Sequence, residues 1–224
     1  MTDLRNDLLD AALAHVPFDG WSEAAFRAAA ADLGIDMARA RAVFPRGALD
    51  MAVAYHRRGD ARMLQRLGEH DLAAMRIRER VALAVRLRLD GEDREVVRRG
   101  ATLMALPQHA AEGTRLIWNT ADAIWDALGD TSEDGNWYTK RAILSGVYSS
   151  TVLFWLGDNS PGDADTWAFL DRRIDNVMQF EKAKAQVQKN PFLRGVFALP
   201  LAVMGAVRKP PARADDLPGQ WRQG

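Results

Sequence analysis

The chain of 224 residues contains no cysteine. This absence excludes a disulfide framework, a thiolate metal site and a cysteine nucleophile. It fits a reducing compartment, and the sequence enters a helical pattern at its first residues without the charged and apolar segments of an export signal. We therefore expect a cytoplasmic protein.

Residues suited to catalysis are also scarce. The chain has only four histidines, and none is paired with a glutamate at the spacing that zinc or di-iron helices require. It has no phosphate-binding glycine loop, nucleophile elbow or dinucleotide fingerprint. The sequence therefore predicts a protein that is not an enzyme, with no catalytic residue, no metal and no cofactor.

Runs of alternating β-branched residues are missing as well, whereas apolar residues recur at three- and four-residue spacing almost throughout. Pro17, Gly34 and Gly68 mark helix ends, and Ser22 and Asp36 are suited to N-caps. The fold class is therefore predicted to be all-α. The predicted helices cover residues 3–16, 22–34, 36–43, 47–68, 72–89, 94–106, 108–128, 135–156 and 163–189.

Three short helices followed by a long one are typical of a helix-turn-helix head on a helical body. We place the head at residues 1–46 and the body at residues 47–189. A further amphipathic helix is predicted at residues 190–209. Residues 210–224 are polar and rich in proline and glycine, which predicts a disordered tail.

The C-terminal region is the most asymmetric in charge. Residues 182–214 hold seven basic residues and no acidic one, although the whole chain has a net charge of zero. The apolar run 192–207 inside it is shorter than a membrane span and contains Pro200. We expect it to lie on an anionic membrane surface; the alternative is a helix docked on the core. The predicted membrane-binding residues are Phe192, Leu193, Val196, Leu199, Val203 and Met204.

Residues 8–13, 28–35 and 43–49 resemble the head of TetR-type repressors. In such a head, Arg39 and Arg41 would have to read the major groove. Residues 1–60 contain seven basic and nine acidic residues, a net charge of −2 that suits duplex DNA poorly. We expect no nucleic-acid partner, and a ligand-responsive repressor of the TetR type remains the alternative function.

Four blocks, residues 15–21, 129–141, 146–151 and 165–173, closely resemble the ninth COQ protein family, the lipid-binding accessory factors of ubiquinone biosynthesis. The resemblance implies a TetR-like fold, no enzymatic activity, and isoprenoid lipid bound in the body. It also implies delivery of an isoprenoid quinone precursor to a hydroxylase that the protein touches, a bound isoprenoid or phospholipid, and a peripheral position at the inner membrane. TetR-like proteins usually dimerise through their last two body helices, so we expect a homodimer. A membrane-associated helical protein of unrelated role is a weaker alternative.

The same resemblance assigns a partner-binding patch to Asp134, Trp137, Tyr138 and Arg141. Their spacing puts them on one side of a helix start, and aromatic residues beside an arginine are the composition of an interface hot spot. One departure is Gly135, which stands where the family usually has an aromatic residue. Without the resemblance, the residues alone favour Asp134 as an N-cap and Trp137 as a core residue.

Apolar residues of three body helices are candidates for the lipid cavity. Most of them must be ordinary core, because a helical body of this size buries about this much apolar surface. The sequence does not separate the two roles. The predicted lipid-binding residues are Leu116, Ile117, Ile124, Trp125, Ile143, Leu144, Val147, Trp167 and Phe169, with Met104 as an adaptable lining residue.

Overall fold

The computed structural model describes residues 2–132 and 135–189. Within these ranges the regular elements are ten α-helices and two short 3-10 helices, and there is no strand, which confirms the all-α prediction. The helices are α1 Thr2–Leu13, α2 Val16–Asp19, α3 Glu23–Asp32, α4 Met37–Val43, α5 Ala48–Leu67, α6 Ile77–Leu89, α7 Arg94–Met104, α8 Ala110–Ala127, α9 Gly135–Gly157 and α10 Ala164–Lys189.

Both predicted caps of the head are present. The Ser22 hydroxyl accepts a hydrogen bond from the Ala25 backbone N–H at 3.2 Å, at the start of α3. The Asp36 carboxylate accepts one from the Arg39 backbone N–H at 2.7 Å, at the start of α4. Each cap satisfies a backbone donor that the first helical turn leaves unpaired.

Two predicted boundaries were wrong. The first helix ends at Leu13 rather than at Val16, because Pro17 lies in the first turn of the short helix α2, where a missing N–H has no cost. The helix predicted from residue 72 begins at Ile77, after a 3-10 turn at Leu72–Ala74. Its start is fixed by a capping box in which the Arg76 backbone N–H donates to the Glu79 carboxylate at 2.9 Å.

The head core is built from α1, α3, α4 and the first turns of α5. Leu8, Phe26, Phe44 and Met51 are fully buried in it. Val96 of α7 belongs to the same cluster, so the body contributes directly to the head core. The Trp21 indole N–H also donates to the Val96 carbonyl at 3.2 Å, which fixes the α2–α3 connection on α7.

The body core lies between the second half of α5 and helices α6, α8, α9 and α10. Met63, Val85, Ile124 and Leu170 are fully buried there. In the part of the chain that the structure describes, no helix is long and apolar enough to cross a membrane. The predicted amphipathic helix at residues 190–209 and the predicted tail at 210–224 lie outside that part, and the boundary at residue 46 stays a prediction.

Candidate functional site

A cavity of about 370 Å³ lies at the junction of head and body. Trp21 lines it from the head side, and α5, α6, α7, α8 and α9 supply most of the rest of its wall. Most of the lining is apolar. Representative apolar lining residues are Val97, Met104, Ile117, Val152 and Leu153.

One end of this cavity is polar, and we call it the polar end: Tyr55, His56, Arg88 and Tyr148. Arg88 is only 4% exposed. Its Nε donates to Asp60 Oδ1 at 2.7 Å, its Nη1 to Glu92 Oε1 at 2.9 Å and its Nη2 to the His56 carbonyl at 3.1 Å. Every nitrogen of this guanidinium is therefore engaged.

The carboxylates behind Arg88 have further partners. Glu92, whose side chain is 1% exposed, also accepts hydrogen bonds from the Tyr55 hydroxyl and from Arg62 Nη2. Two arginines thus face two carboxylates, Asp60 and Glu92, and the cluster has no net charge. Gly59 makes room for it, because a Cβ at that position would stand 2.5 Å from Arg88 Nη1.

His56 and Tyr148 are held in their neutral forms. Burial lowers the pKa of His56 to about 4; nearby Asp60 opposes this shift and Arg88 adds to it. Burial also raises the pKa of Tyr148 to about 12. The His56 ring shares a hydrogen bond of 2.9 Å with the Thr120 hydroxyl. The polar end is therefore uncharged overall near neutral pH.

A second cavity, of about 610 Å³, lies on the other side of α9. It is bounded by α6, the α8–α9 connection, α9 and α10. Its apolar lining includes Val81, Leu128 and Ile174, whereas Arg78, Asp130 and Lys140 make it more polar than the first.

The structure divides the predicted lipid-binding residues between these two cavities. Leu116 and Ile117 line the first cavity, as does Met104. The second is lined by Trp125, Ile143, Leu144 and Val147. The predicted residues are divided because α9 is apolar on two sides and presents opposite sides to the two spaces. Whether these residues bind lipid stays a prediction.

Three of the predicted residues line neither cavity. Ile124 is fully buried in the body core. The Trp167 indole N–H donates to the Gly162 carbonyl at 3.0 Å, and the Phe169 ring stacks on Phe154 with centroids 4.6 Å apart. Their positions indicate packing roles.

The sequence reading missed the polar end. In the sequence His56 is one of four histidines without a glutamate partner, and Tyr55, Arg88 and Tyr148 belong to no recognisable motif. One signal was available: Gly59 lies in the middle of a long helix, where a glycine usually has a packing reason. The spacing of Arg88 and Glu92 also allows an i, i+4 ion pair.

The predicted partner-binding patch is largely internal. Arg141 is fully buried, and its guanidinium donates to Asp126 at 2.8 Å, to Asp130 at 3.0 Å and to Asp122. The same group lies 4.0 Å from the centroid of the Trp137 ring. Arg141 therefore clamps the end of α8 to the start of α9.

The aromatic residues of the patch form a cluster with Trp118. The Trp137 and Tyr138 rings meet edge to face at 4.7 Å, and Trp118 lies about 6 Å from both. Trp137 is only 6% exposed and Tyr138 is half-buried. Trp137 and Arg141 are therefore buried in this chain, and their role in partner binding stays a prediction. Asp134 lies outside the described residues.

Asp130 links the clamp to the second cavity. Burial opposes its ionisation, but hydrogen bonds from Lys140, Ser132 and Arg141 hold the pKa of its carboxyl well below the usual range. Asp130 is therefore a permanent anion that fixes the α8–α9 connection. Within residues 2–132 and 135–189 no three histidine or carboxylate side chains are grouped as a metal site.

The two arginines of helix α4 differ in their surroundings. Arg41 is engaged internally, since its Nη2 lies 2.5 Å from Glu23 Oε1 and its guanidinium stacks 5.1 Å from the Phe26 ring centroid. Arg39 is exposed. Of the two arginines predicted to read bases, one is held against its own domain.

Known proteins show the same fold. A crystal structure of the TetR transcriptional regulator from Nitrosomonas europaea matches with a TM-score of 0.65 at 20% identity, over 77% of this chain and 97% of that one. This likeness confirms the TetR-like fold.

Sequence relatives identify the family. Residues 110–181 match the COQ9 family model. The rat protein named "Ubiquinone biosynthesis protein COQ9, mitochondrial" is 32% identical over 83% of this chain, and its human counterpart is 30% identical over 83%. The COQ9-B protein of Xenopus laevis is 32% identical over 82%. The matches span 62%, 61% and 66% of those relatives, so the chain corresponds to about three fifths of their length. From these matches, the chain belongs to the COQ9 family.

Proposed function

We propose that this protein is a non-enzymatic accessory factor of ubiquinone biosynthesis, which binds an isoprenoid quinone precursor in the first cavity and presents it to a hydroxylase at a membrane. The observation that carries the proposal is the apolar cavity with one polar end, in a chain whose relatives are named ubiquinone biosynthesis proteins. That shape suits an amphiphile with a long apolar tail and a small polar head.

The size and mouth of the cavity support this assignment. About 370 Å³ is within the range of small-molecule sites, about 300–1,000 Å³. Leu153, a lining residue, is 67% exposed, so the apolar wall continues to the protein surface. A tail longer than the cavity can leave along this wall without crossing polar surface.

Features of the sequence support the membrane and hydroxylase parts of the proposal. The basic, apolar segment at residues 182–214 is suited to an anionic bilayer, where a polyprenylated substrate resides. Tyr138 is the described member of the predicted patch that keeps substantial exposure, and it is the residue we assign to hydroxylase contact. The proposed assembly is a homodimer peripheral to the inner membrane.

Lipid extraction and mass spectrometry of the purified protein test the carrier role. Two variants on α9 distinguish the cavities, since Val152 lines the first and Ile143 the second, and both are half-buried. We expect Val152→Trp to abolish co-purification of isoprenoid lipid and Ile143→Trp to retain it. The reverse result would move the site to the second cavity, and a wild-type protein without lipid would end the carrier proposal.

Quinone profiling of a deletion strain tests the pathway. We expect ubiquinone to fall and an unhydroxylated precursor to accumulate. Complementation with wild-type protein restores the profile, and complementation with the Val152→Trp variant does not. Unchanged ubiquinone in the deletion strain would contradict the proposal.

A TetR-type repressor is the second candidate, because the fold matches that of a transcriptional regulator and the cavity could hold an inducer. The engagement of Arg41 by Glu23 and the net charge of −2 over residues 1–60 weigh against it. A DNA duplex-binding assay at low salt distinguishes the repressor from the lipid carrier. Clear affinity that disappears in the Arg39→Ala and Arg41→Ala variants would favour the repressor.

A further inference from the structure

Among the described residues that line the first cavity, Arg88 is the one with a charge, and that charge is already compensated. Asp60 and Glu92 hold the guanidinium at 2.7 and 2.9 Å, and Glu92 is shared with Arg62. His56, the other described lining group that could carry a positive charge, is buried beside Arg88 and is neutral near pH 7. The described lining therefore has no uncompensated cation for a ligand anion.

Arg88 is also unable to turn toward a ligand. Its three nitrogens are all hydrogen-bonded, and the backbone of α5 at Gly59 lies directly against the guanidinium. Releasing one bond to reach a ligand would weaken a buried ion pair with Asp60 or Glu92, or leave the His56 carbonyl without this donor, and either change is unfavourable. A carboxylate or phosphate entering the polar end would therefore be buried without a counterion.

The Tyr148 hydroxyl is in the opposite situation. The residue is 4% exposed and lines the cavity, yet its hydroxyl has no hydrogen-bond partner within the described part of the chain. Its ring lies 5.9 Å from the Arg88 guanidinium carbon, at the polar end. Buried polar groups in native proteins are almost always hydrogen-bonded, so this hydroxyl has capacity for a ligand oxygen.

We propose that the polar end is a headgroup subsite that selects an uncharged hydroxyl or carbonyl group and rejects an anionic one, with the Tyr148 hydroxyl as the residue that hydrogen-bonds the ligand. The compensated Arg88 cluster supplies a polar but neutral wall around the headgroup. This inference rests on the proposed function, since it takes the lipid to lie in the first cavity. It adds to that function the chemical class of the headgroup and the residue that hydrogen-bonds it.

Two probes with one tail test the selection: geranylgeraniol, which ends in a hydroxyl, and geranylgeranoic acid, which is a carboxylate at pH 7.5. Binding to the delipidated full-length protein is measured by isothermal titration calorimetry. We expect the alcohol to bind at least about tenfold more tightly, because burying a carboxylate without a counterion is strongly unfavourable.

The Tyr148→Phe variant tests the hydroxyl. Ser150→Ala is its matched control, because it also removes a hydroxyl from α9 at a half-buried position that lines neither cavity. Loss of one neutral hydrogen bond lowers affinity by about three- to tenfold. We expect that loss for geranylgeraniol in Tyr148→Phe, no change for the acid, and no change for either probe in Ser150→Ala. Equal losses for both probes in Tyr148→Phe would show a packing role and overturn the assignment.

The remaining outcomes separate this inference from the proposed function. If the acid binds as well as the alcohol, the headgroup selection is wrong and the carrier role stands. If the wild-type protein binds neither probe, the carrier role fails and the selection fails with it.

Discussion

Two buried arginines, Arg88 and Arg141, stand in different surroundings. Arg88 is enclosed together with its carboxylates, since the side chains of Asp60 and Glu92 are 14% and 1% exposed. Arg141 is fully buried, but Asp122 and Asp126 reach it from the surface with side chains 35% and 62% exposed. The first arrangement forms the wall of a cavity and the second clamps two helices together.

The difference lies in what remains when the arginine is removed. Breaking a buried ion pair is costly chiefly because the surviving charge has neither partner nor water. Around Arg88 the survivors are sealed inside, whereas around Arg141 two of the three can be hydrated where they are. The fold therefore depends more strongly on Arg88, although Arg141 has more carboxylate partners.

Arg88→Met provides the sharpest test and the largest expected effect. It leaves Asp60 without an arginine and Glu92 with Arg62 alone, so the free energy of unfolding should fall by about 3–5 kcal/mol. Urea unfolding followed by circular dichroism measures it. Adding Asp60→Asn should recover part of the loss, and a loss below about 1 kcal/mol would remove the distinction between the two arginines.

The second prediction concerns pH and involves only the Arg88 side. The folded-state pKa of His56, about 4, is below the unfolded value of 6.5, so the unfolded chain takes up the proton first. Stability is complete above pH 6.5 and should fall by up to about 3 kcal/mol as the pH drops to about 4. In the His56→Gln variant, the free energy of unfolding should change much less between pH 6.5 and pH 4. Urea titrations at a series of pH values measure this dependence. An unchanged slope would show that His56 is protonated in the folded protein.

Arg141→Met should cost less, about 2 kcal/mol, because Asp122 and Asp126 can take up water and Lys140 still holds Asp130. The same urea titration measures this value beside that of Arg88→Met. A larger loss for Arg141 than for Arg88 would reverse the comparison. Tryptophan fluorescence reports in addition on the release of Trp137 from the guanidinium.

Asp126→Asn should have the smallest effect, within about 0.5 kcal/mol, because its exposed carboxylate contributes only a solvated ion pair. Differential scanning calorimetry resolves the change. Glu92→Gln is the enclosed counterpart and should be several times more destabilising. Similar losses of stability for the two substitutions would mean that the exposure of a carboxylate does not determine how much it contributes to these clusters.

Local signals in the sequence predicted most of the fold. The helices, and the caps at Ser22 and Asp36, depend on neighbouring residues and were predicted correctly. Pro17 predicts the end of a helix at Val16, but a proline is equally suited to the first turn of a helix, and it has that place in α2.

The candidate site depends on contacts between distant residues, such as Asp60 with Arg88, and periodicity does not reveal these. Helix α9 is apolar on both sides, so its pattern could not show that it separates two cavities. A signal for the clamp was present. Asp122 and Asp126 lie four residues apart at the end of α8, and Asp130 follows four residues later in the α8–α9 connection. This spacing indicates a row of carboxylates that a cation can pair with.

Gly59 shows what a missing side chain can specify. In an ordinary helix, replacing glycine by alanine stabilises by about 1 kcal/mol. Here the added methyl would meet Arg88 Nη1 at 2.5 Å and Glu92 Oε1 at 2.6 Å, and both atoms are fixed by other bonds. The usual preference is therefore reversed, and a redesign that improved α5 as an isolated helix would displace the guanidinium from its carboxylates. At this position a hydrogen atom in place of a side chain decides whether a buried ion-pair cluster can pack against the helix backbone.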